Sequence, residues 1–348
     1  MLSREEIELC RRDGYLPGQR LLSPAEAERL RNDCLRTCAN PLELGDQNPY
    51  SLKRHASNRV KPYLLFPWAA ELVRHPRILD LVDDVIGPDI LVFHTTAWLK
   101  PPHSKNYVPW HQDATYFGLA PFEHVTAWVA LTPSRPESGC VRVIPGFHHK
   151  GQLAHFDDHN DPLTMLSRGQ TLAENIREED AVDLVMEPGD VSLHHTLIAH
   201  SSGPNRSDDW RIGIGISYIP TRVRHIGPTR LSATLARGTD RFNHFDHEAA
   251  PQAELDFLSG MGPVDPVTGG RNLGPIAEQI RQTLRNMAHM LESGGSGLDR
   301  IVKMTVVLAD GADYDEMNRV WREFFPVGRN IPVDGLEQPH APRDRRPY

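Results

Sequence analysis

Three things are scarce in this chain of 348 residues: cysteine, long apolar runs and positive charge in excess. The four cysteines, Cys10, Cys34, Cys38 and Cys140, have no spacing that reads as a disulfide framework, which excludes a small stapled secreted scaffold. Cys34 and Cys38 stand at helical i, i+4 spacing and read as helix packing rather than a metal pair, since free cysteine is readily buried. No apolar run reaches the ~18 residues of a membrane span. The opening Met1-Leu2-Ser3-Arg4-Glu5-Glu6 is charged where a secretory leader would turn apolar, so the expected location is cytoplasmic, with no membrane partner. A formal net charge of −8 offers no basic field for phosphates and argues against nucleic acid as a partner. What is present, 39% hydrophobic and 24% charged residues, is the composition of a globular protein long enough for roughly two domains.

The chain opens with two helix starts. Ser3-Arg4-Glu5-Glu6 and Ser23-Pro24-Ala25-Glu26 are capping boxes, and the second adds Pro at the first helical position. The first helix should stop at Gly14 and hand over to a strand at Tyr15-Leu16. The second should run to about Cys38 with Ala27, Leu30, Cys34 and Leu35 on its buried face. From Asn40 to Arg59 a periodless mixture of Pro, Asn, Gly and basic residues predicts a loop long enough to act as a lid. A helix is expected near Ala69 to Val85, ended by Gly87-Pro88. Then short β-branched segments follow one another: Ile90–Lys100, the Trp110 stretch, Val125–Leu131, Cys140–Ile144, Val182–Met186, Val191–His195 and Arg211–Ile219. Pro145-Gly146, Pro188-Gly189 and Ser202-Gly203-Pro204-Asn205 punctuate them. Such a pattern predicts a mainly β fold with flanking helices, a double-stranded β-helix (jelly roll) over residues 1–250.

Inside that domain lies Trp110-His111-Gln112-Asp113. If the stretch is extended, side chains two apart leave the same face, and His111 and Asp113 present a nitrogen and an oxygen to one point. Alone, this triplet is expected by chance among 18 His and 46 acidic residues. A second half of a site lies in His194-His195-Thr196-Leu197-Ile198-Ala199-His200. A third donor from there would give two imidazoles and one carboxylate on one face of a metal. That set suits non-haem Fe(II), whose open positions take a chelating co-substrate and dioxygen. His200 is the better candidate, because Ser201-Ser202-Gly203-Pro204-Asn205 then turns into the strand that carries Arg211. An arginine there can hold a dicarboxylate by a bidentate, charge-assisted pair.

The stretch from about Trp98 to Tyr218 resembles the phytanoyl-CoA dioxygenase family of Fe(II)/2-oxoglutarate oxygenases. The likeness rests on Val108-Pro109-Trp110-His111-Gln112-Asp113-Ala114-Thr115-Tyr116, on Val141-Arg142-Val143-Ile144-Pro145-Gly146-Phe147-His148, and on His200-Ser201-Ser202-Gly203-Pro204-Asn205-Arg206-Ser207 with Arg211. The helical start and the strands to about Asp246 also look like the family, so the match spans roughly two thirds of the chain. The resemblance implies that His111, Asp113 and His200 ligate Fe(II) and that Arg211 holds 2-oxoglutarate, with Ser202 and Lys100 as further co-substrate contacts. It implies a dioxygenase that consumes O2 and 2-oxoglutarate, hydroxylates a small organic molecule and releases succinate and CO2. In related halogenases Ala or Gly replaces the carboxylate ligand. Asp113 is present, which favours an oxygenative outcome.

Other residues have blander readings. Adjacent on a strand, His194 and His195 point to opposite faces, and both are expected to be structural. His148, His149 and Lys150 fall in a loop as solvated or gating residues. Trp110, Tyr116, Phe117 and Trp128 either line a substrate pocket or fill the core. Gly213 and Gly215, alternating with isoleucines, either let a ligand approach or mark a bend. Substrate choice should sit in the Asn40–Arg59 loop, the Pro102–Val108 loop and the polar segment Gly151–Glu179, read as a mobile lid.

Beyond Phe257 the text changes. Ile276, Ile280, Leu284, Met287 and Leu291 form a helical stripe ending at Gly294-Gly295. Ile301–Leu308 reads as a strand, and Asp313-Tyr314-Asp315-Glu316 as the cap of a helix burying Met317, Val320, Trp321 and Phe324. This small α+β module, residues 257–330, resembles the Rid (YjgF-like) imine deaminase family in Gln282-Thr283-Leu284-Arg285-Asn286, Ser296-Gly297-Leu298-Asp299, Val302-Lys303-Met304-Thr305-Val306 and Glu323-Phe324-Phe325-Pro326. The family's opening strands have no counterpart ahead of Phe257. Its Pro-Ala-Arg-Ser motif is absent, with only Arg329 nearby in unlike text, and residues 331–348 read as a Pro-rich charged tail. A docking or homo-oligomerisation role and a vestigial fusion both remain open for the module. The alternative function is a Rid-like imine-processing or oligomerisation protein whose β domain is catalytically silent.

Overall fold

In the computed structural model of the chain, both N-terminal capping boxes form as expected. The structure describes residues 2–39, 59–157, 161–167, 169–228, 230–251, 263, 272, 274–293, 297–301, 304–308, 313–325 and 333–337. Helix α1 (Arg4–Asp13) begins where Ser3 Oγ accepts from the Glu6 amide, and it stops at Gly14 with φ 78°. The chain then enters β1 (Tyr15–Arg20), and α2 (Pro24–Cys38) follows behind the Ser23 cap with Ala27, Leu30, Cys34 and Cys38 buried. The helix expected over Ala69–Val85 is two helices, α3 (Pro67–Leu72) and α4 (Pro76–Ile86). Pro76 is the cause: it lacks the N–H that would continue α3, and its ring restricts His75 to extended backbone. The Asn40–Arg59 loop lies, up to residue 58, outside the described residues.

Besides four two-residue strands, the strands that follow β1 in the first unit are β2 (Ile90–Lys100), β3 (Val108–His111), β4 (Val125–Ala130), β5 (Val141–Val143), β6 (Val182–Leu184), β7 (Asp190–His195), β8 (His200–Ser202), β9 (Arg211–Pro220), β10 (Ser232–Arg237) and β11 (Asp246–His247). Seven form one sheet in the order β1-β7-β4-β9-β2-β10-β11, antiparallel except for β10 with β11, and four form the facing sheet β3-β8-β5-β6. Among the described residues this is the jelly roll, and seven α-helices are found among them. Its larger sheet has two different faces. Ile212, Ile214, Ile216 and Tyr218 of β9, with Ala97 and Leu99 of β2, pack against Leu30, Leu72, Ile78 and Val82 of the helices. Burying each such side chain contributes about 1.5–3 kcal/mol, and this layer holds the sheet's back rigid. The alternate residues face the smaller sheet, and there the polar and aromatic side chains of the site gather.

The chain divides into the units Met1–Phe257 and Leu258–Tyr348. In the second, α6 (Ile276–Ser293), β12 (Met304–Leu308), α7 (Tyr314–Phe324) and β13 (Val333–Glu337) follow in order, and β12 pairs with β13 in parallel. Leu284, Met287 and Leu291 of α6 are buried with Phe325. Two expectations need correction. Asp313 has helical backbone and makes no side-chain cap, and residues 331–348 are not simply a tail, because β13 lies in them. A parallel partner supplies backbone bonds that the Pro-rich, charged composition did not signal. The Phe257–Gly262 text, Gly294-Gly295, Arg329 and residues 338–348 lie outside the described residues. No helix of the described residues is long and apolar enough to cross a membrane.

Candidate metal and anion site

His111 ends β3 and His200 starts β8, and the two are direct antiparallel partners, which brings their rings to 4.1 Å between centroids. Asp113 arrives differently from the expectation of a continuous strand. Its backbone is helical (φ −58°, ψ −33°) and it leads into the single turn α5 (Ala114–Phe117). Strand and turn together, rather than strand alternation, aim the carboxylate back at the imidazoles. Asp113 Oδ1 lies 3.6 Å from His111 Nε2 and 3.7 Å from His200 Nε2, and one ligand atom of each residue lies within 4.8 Å of the others. Each ring is oriented from behind by a carbonyl two residues earlier: His111 Nδ1 is 2.9 Å from Pro109 O, and His200 Nδ1 is 3.2 Å from Ile198 O. A carbonyl only accepts, so Nδ1 carries the proton and each Nε2 directs a lone pair at the shared point.

The charge states suit a divalent cation. Burial, reinforced by His111, holds the His200 imidazole well below the usual range. Burial alone would raise the Asp113 carboxyl, but His200, with His111 and His194, outweighs it and holds the group well below the ordinary carboxylate range. Two imidazoles and one carboxylate on one side of a point fit a ferrous ion.

The other oxygen, Asp113 Oδ2, is held by a chain of donors that the sequence did not reveal. Thr126 Oγ1 donates to it at 2.8 Å. Having given its one proton there, Thr126 accepts from His124 Nε2 at 3.2 Å, and His124 Nδ1 accepts from Thr196 Oγ1 at 3.0 Å. Gln112 was also missed. Fully buried between the two ligand positions, its amide donates to Gly151 O (2.9 Å) and Leu197 O (2.6 Å) and accepts from the Leu153 amide at 2.9 Å. It thereby fastens the start of the Gly151–Glu179 segment to the site. That segment is not the free flap its composition suggested: Tyr107 exchanges backbone bonds with Leu163 and Met165, and His155–Phe156 pairs with Thr171–Leu172. Residues 158–160 and 168 of it lie outside the described residues.

Deeper along the inner face lies a cationic pair. Lys100 and Arg211 are cross-strand partners, both buried. Lys100 Nζ donates to Ser202 Oγ (2.7 Å), Ser202 O (3.2 Å) and Gly203 O. Arg211 Nη2 donates to the same Ser202 Oγ at 2.8 Å, and that hydroxyl donates onward to Gly139 O. Arg211 Nε is buried without a partner, its guanidinium 5.5 Å from the Trp128 ring centre. Among the described residues no carboxylate pairs with either cation. Burial, then Arg211, pushes Lys100 down to about 5, and burial pushes Arg211 down to about 10. Two buried basic groups with no counter-charge are costly to ionise together unless an anion joins them. Sequence expectation had named Arg211, Ser202 and Lys100 for an anion, and the fold brings all three together.

The remaining expectations divide. Gly213 and Gly215 each lie against a tryptophan of a neighbouring strand. A Cβ on Gly213 would sit 2.0 Å from Trp128, and one on Gly215 would sit 3.1 Å from Trp98, so the glycines make room for the chain's own tryptophans. Trp110 points to the outer face of the smaller sheet, where its indole donates to Glu178 Oε1 at 2.8 Å. Trp128 and Phe117 are packed, the latter edge-on to Phe93, and Tyr116 is exposed. His148 and His149 neither gate nor float: their Nε2 atoms reach the Arg11 and Arg12 carbonyls and tie off the end of α1. His195 is structural, accepting from the Leu197 amide at 3.1 Å. His194, also expected to be structural, has its Nε2 3.6 Å from Asp113 Oδ2.

A jelly roll with this donor set at its mouth and a cationic pair behind it is the framework of the non-haem Fe(II)- and 2-oxoglutarate-dependent oxygenases, and the protein is an enzyme of that class. Comparison with known proteins makes the assignment narrower. The chain belongs to the phytanoyl-CoA dioxygenase (PhyH) family, which matches residues 10–213. It is 30% identical over 242 residues to the peroxisomal phytanoyl-CoA dioxygenase of Bos taurus, covering 65% of this chain and 71% of that protein. The solved apo structure of the non-heme monooxygenase ThoJ superposes with a TM-score of 0.61 at 34% identity, covering 72% of this chain and 90% of that one. The C-terminal part matches the Endoribonuclease L-PSP family over residues 240–336, wider than the expected 257–330. It is 38% identical over 88 residues to a RutC family protein of Pyrococcus horikoshii, 25% of this chain and 69% of that protein, and so belongs to that Rid-like family.

Proposed function

We propose that this dioxygenase hydroxylates a C–H bond of a small organic molecule, with 2-oxoglutarate as co-substrate. The balance is one substrate C–H, one O2 and one 2-oxoglutarate giving one alcohol, one succinate and one CO2. The observation that carries the reading is the convergence of His111 Nε2, Asp113 Oδ1 and His200 Nε2 beside an unpaired cationic pair. His111, Asp113 and His200 would hold a ferrous ion, which supplies the redox chemistry that activates dioxygen as 2-oxoglutarate is decarboxylated. The chain does the rest. Pro109 O and Ile198 O fix the two rings, Thr126 fixes the carboxylate, and Arg211 with Lys100 and Ser202 would hold the far carboxylate of 2-oxoglutarate. Trp128, 5.5 Å from the Arg211 guanidinium, adds an apolar ring beside that cation. Asp113 occupies the place that a halide needs, in keeping with hydroxylation.

The test is succinate formation from 2-oxoglutarate by anaerobically iron-loaded protein exposed to oxygen with a panel of small molecules. The expected result is turnover that His111→Ala abolishes. No succinate from the wild type, or an unchanged rate in His111→Ala, sinks the reading. We further propose that the Rid-like module serves self-association, supported by its small two-stranded sheet, whose edges invite pairing. Truncation after residue 257 should then lower the molar mass in solution by a whole-number factor beyond the loss of the module. A cytoplasmic location is also proposed, consistent with four cysteines of which none forms a disulfide. Cell fractionation tests it.

A further inference from the structure

Register places one more side chain at the metal site. His194 of β7 is the direct cross-strand partner of Thr126 of β4. Cross-strand partners share a face, so both look into the space between the sheets. Thr126 is seen to reach Asp113 Oδ2, and His194 Nε2 stands on the same oxygen's side at 3.6 Å. His194 is 3% exposed, its ring is 4.5 Å from that of His200, and neither of its nitrogens has a hydrogen-bond partner. A buried imidazole with nothing to bond is expensive, so its position needs a reason. The carboxylate divides the neighbours cleanly. Oδ1 faces His111 and His200, whereas Oδ2 faces Thr126 and His194.

We propose that His194 is a positioning residue for Asp113: its Nε2–H is the second donor to Oδ2, and with the Thr126 hydroxyl it restrains the carboxylate to bind a metal through Oδ1 alone. This rests on the metal reading given above. A carboxylate with both lone-pair directions of Oδ2 occupied cannot swing to chelate through two oxygens. The positions opposite the triad therefore stay open for co-substrate and dioxygen. Closing 3.6 Å to a hydrogen bond takes a movement of less than about 1 Å.

Cobalt(II) substitution in the full-length protein tests this without turnover. His194→Phe keeps the ring shape and removes both nitrogens, whereas His194→Gln keeps an N–H donor. Cobalt affinity by competition, the visible ligand-field spectrum and the melting temperature are read for each, with Thr126→Val as the reference for losing a donor. Wild type should bind one cobalt per chain, lost in His111→Ala. His194→Phe should melt near wild type yet bind cobalt about 10–100-fold more weakly with an altered spectrum, and His194→Gln should recover most of both. Wild-type affinity and spectrum in His194→Phe overturn the proposal. If that variant fails to fold, the folded His194→Gln decides: near wild-type binding supports the proposal, and a loss as large as that of Thr126→Val overturns it. Cobalt binding that survives His111→Ala overturns the metal reading itself, and the His194 role with it.

Discussion

At the scale of single residues, the most consequential are those whose neighbours do not balance them. Lys100 is surrounded by three acceptors, which call for the three N–H groups of an ammonium, yet burial and Arg211 press it toward the neutral amine at about 5. An anion between Lys100 and Arg211 reconciles the two. Binding of 2-oxoglutarate near pH 7 should therefore be accompanied by proton uptake, seen as different calorimetric heats in buffers of different ionisation enthalpy under nitrogen. Arg211→Leu should weaken that binding by about 2–5 kcal/mol, the range for truncating one member of a buried charge pair. Binding without proton uptake would remove Lys100 from the anion site.

At the scale of elements, β9 shows how much one strand can specify. Its odd and even positions do separate work: Ile212, Ile214 and Ile216 face the helices, and Arg211, Gly213 and Gly215 face the site. Gly213→Ala would push on Trp128, the ring under Arg211, so it should cost roughly 1–3 kcal/mol in stability as overpacking. It should also weaken 2-oxoglutarate binding although it touches no ligand. A melting curve together with a binding isotherm checks both, and unchanged binding in a destabilised variant would detach Trp128 from the anion site. The strand alternation of β9 was legible from the isoleucines. That the glycines serve tryptophans was not, because the partners come from β2 and β4 and sequence spacing does not give cross-strand register.

At the scale of the molecule, buried histidines link stability to pH. Burial pushes His94, His124 and His195 each down to about 4. The unfolded chain takes up those protons near the ordinary histidine value, ~6.5, while the folded chain resists until about 4. Unfolded protein therefore binds more protons in that window, and stability is fully present above it and falls as the pH drops through it. For His124, fully buried, the loss is on the order of 3 kcal/mol. Melting temperature should decline between pH 6.5 and 4 in the metal-free protein, and His124→Phe should flatten the decline. A melting temperature that rises on acidification would contradict the burial of these rings.

The sequence by itself determined a good deal. The capping boxes at Ser3 and Ser23, the period-2 strands and the Gly and Pro punctuation all report on backbone choices made locally, so they could be read along the chain. His111, Asp113, His200 and Arg211 were legible because their family-like surroundings are contiguous. The tertiary structure decided the rest, since it depended on what lies across a strand pair or between sheets. Pairing β8 with β3 brought the imidazoles together, pairing β7 with β4 set His194 beside Thr126, and the helical turn at Asp113 aimed the carboxylate. Register is a property of two strands at once, and neither strand carries it alone.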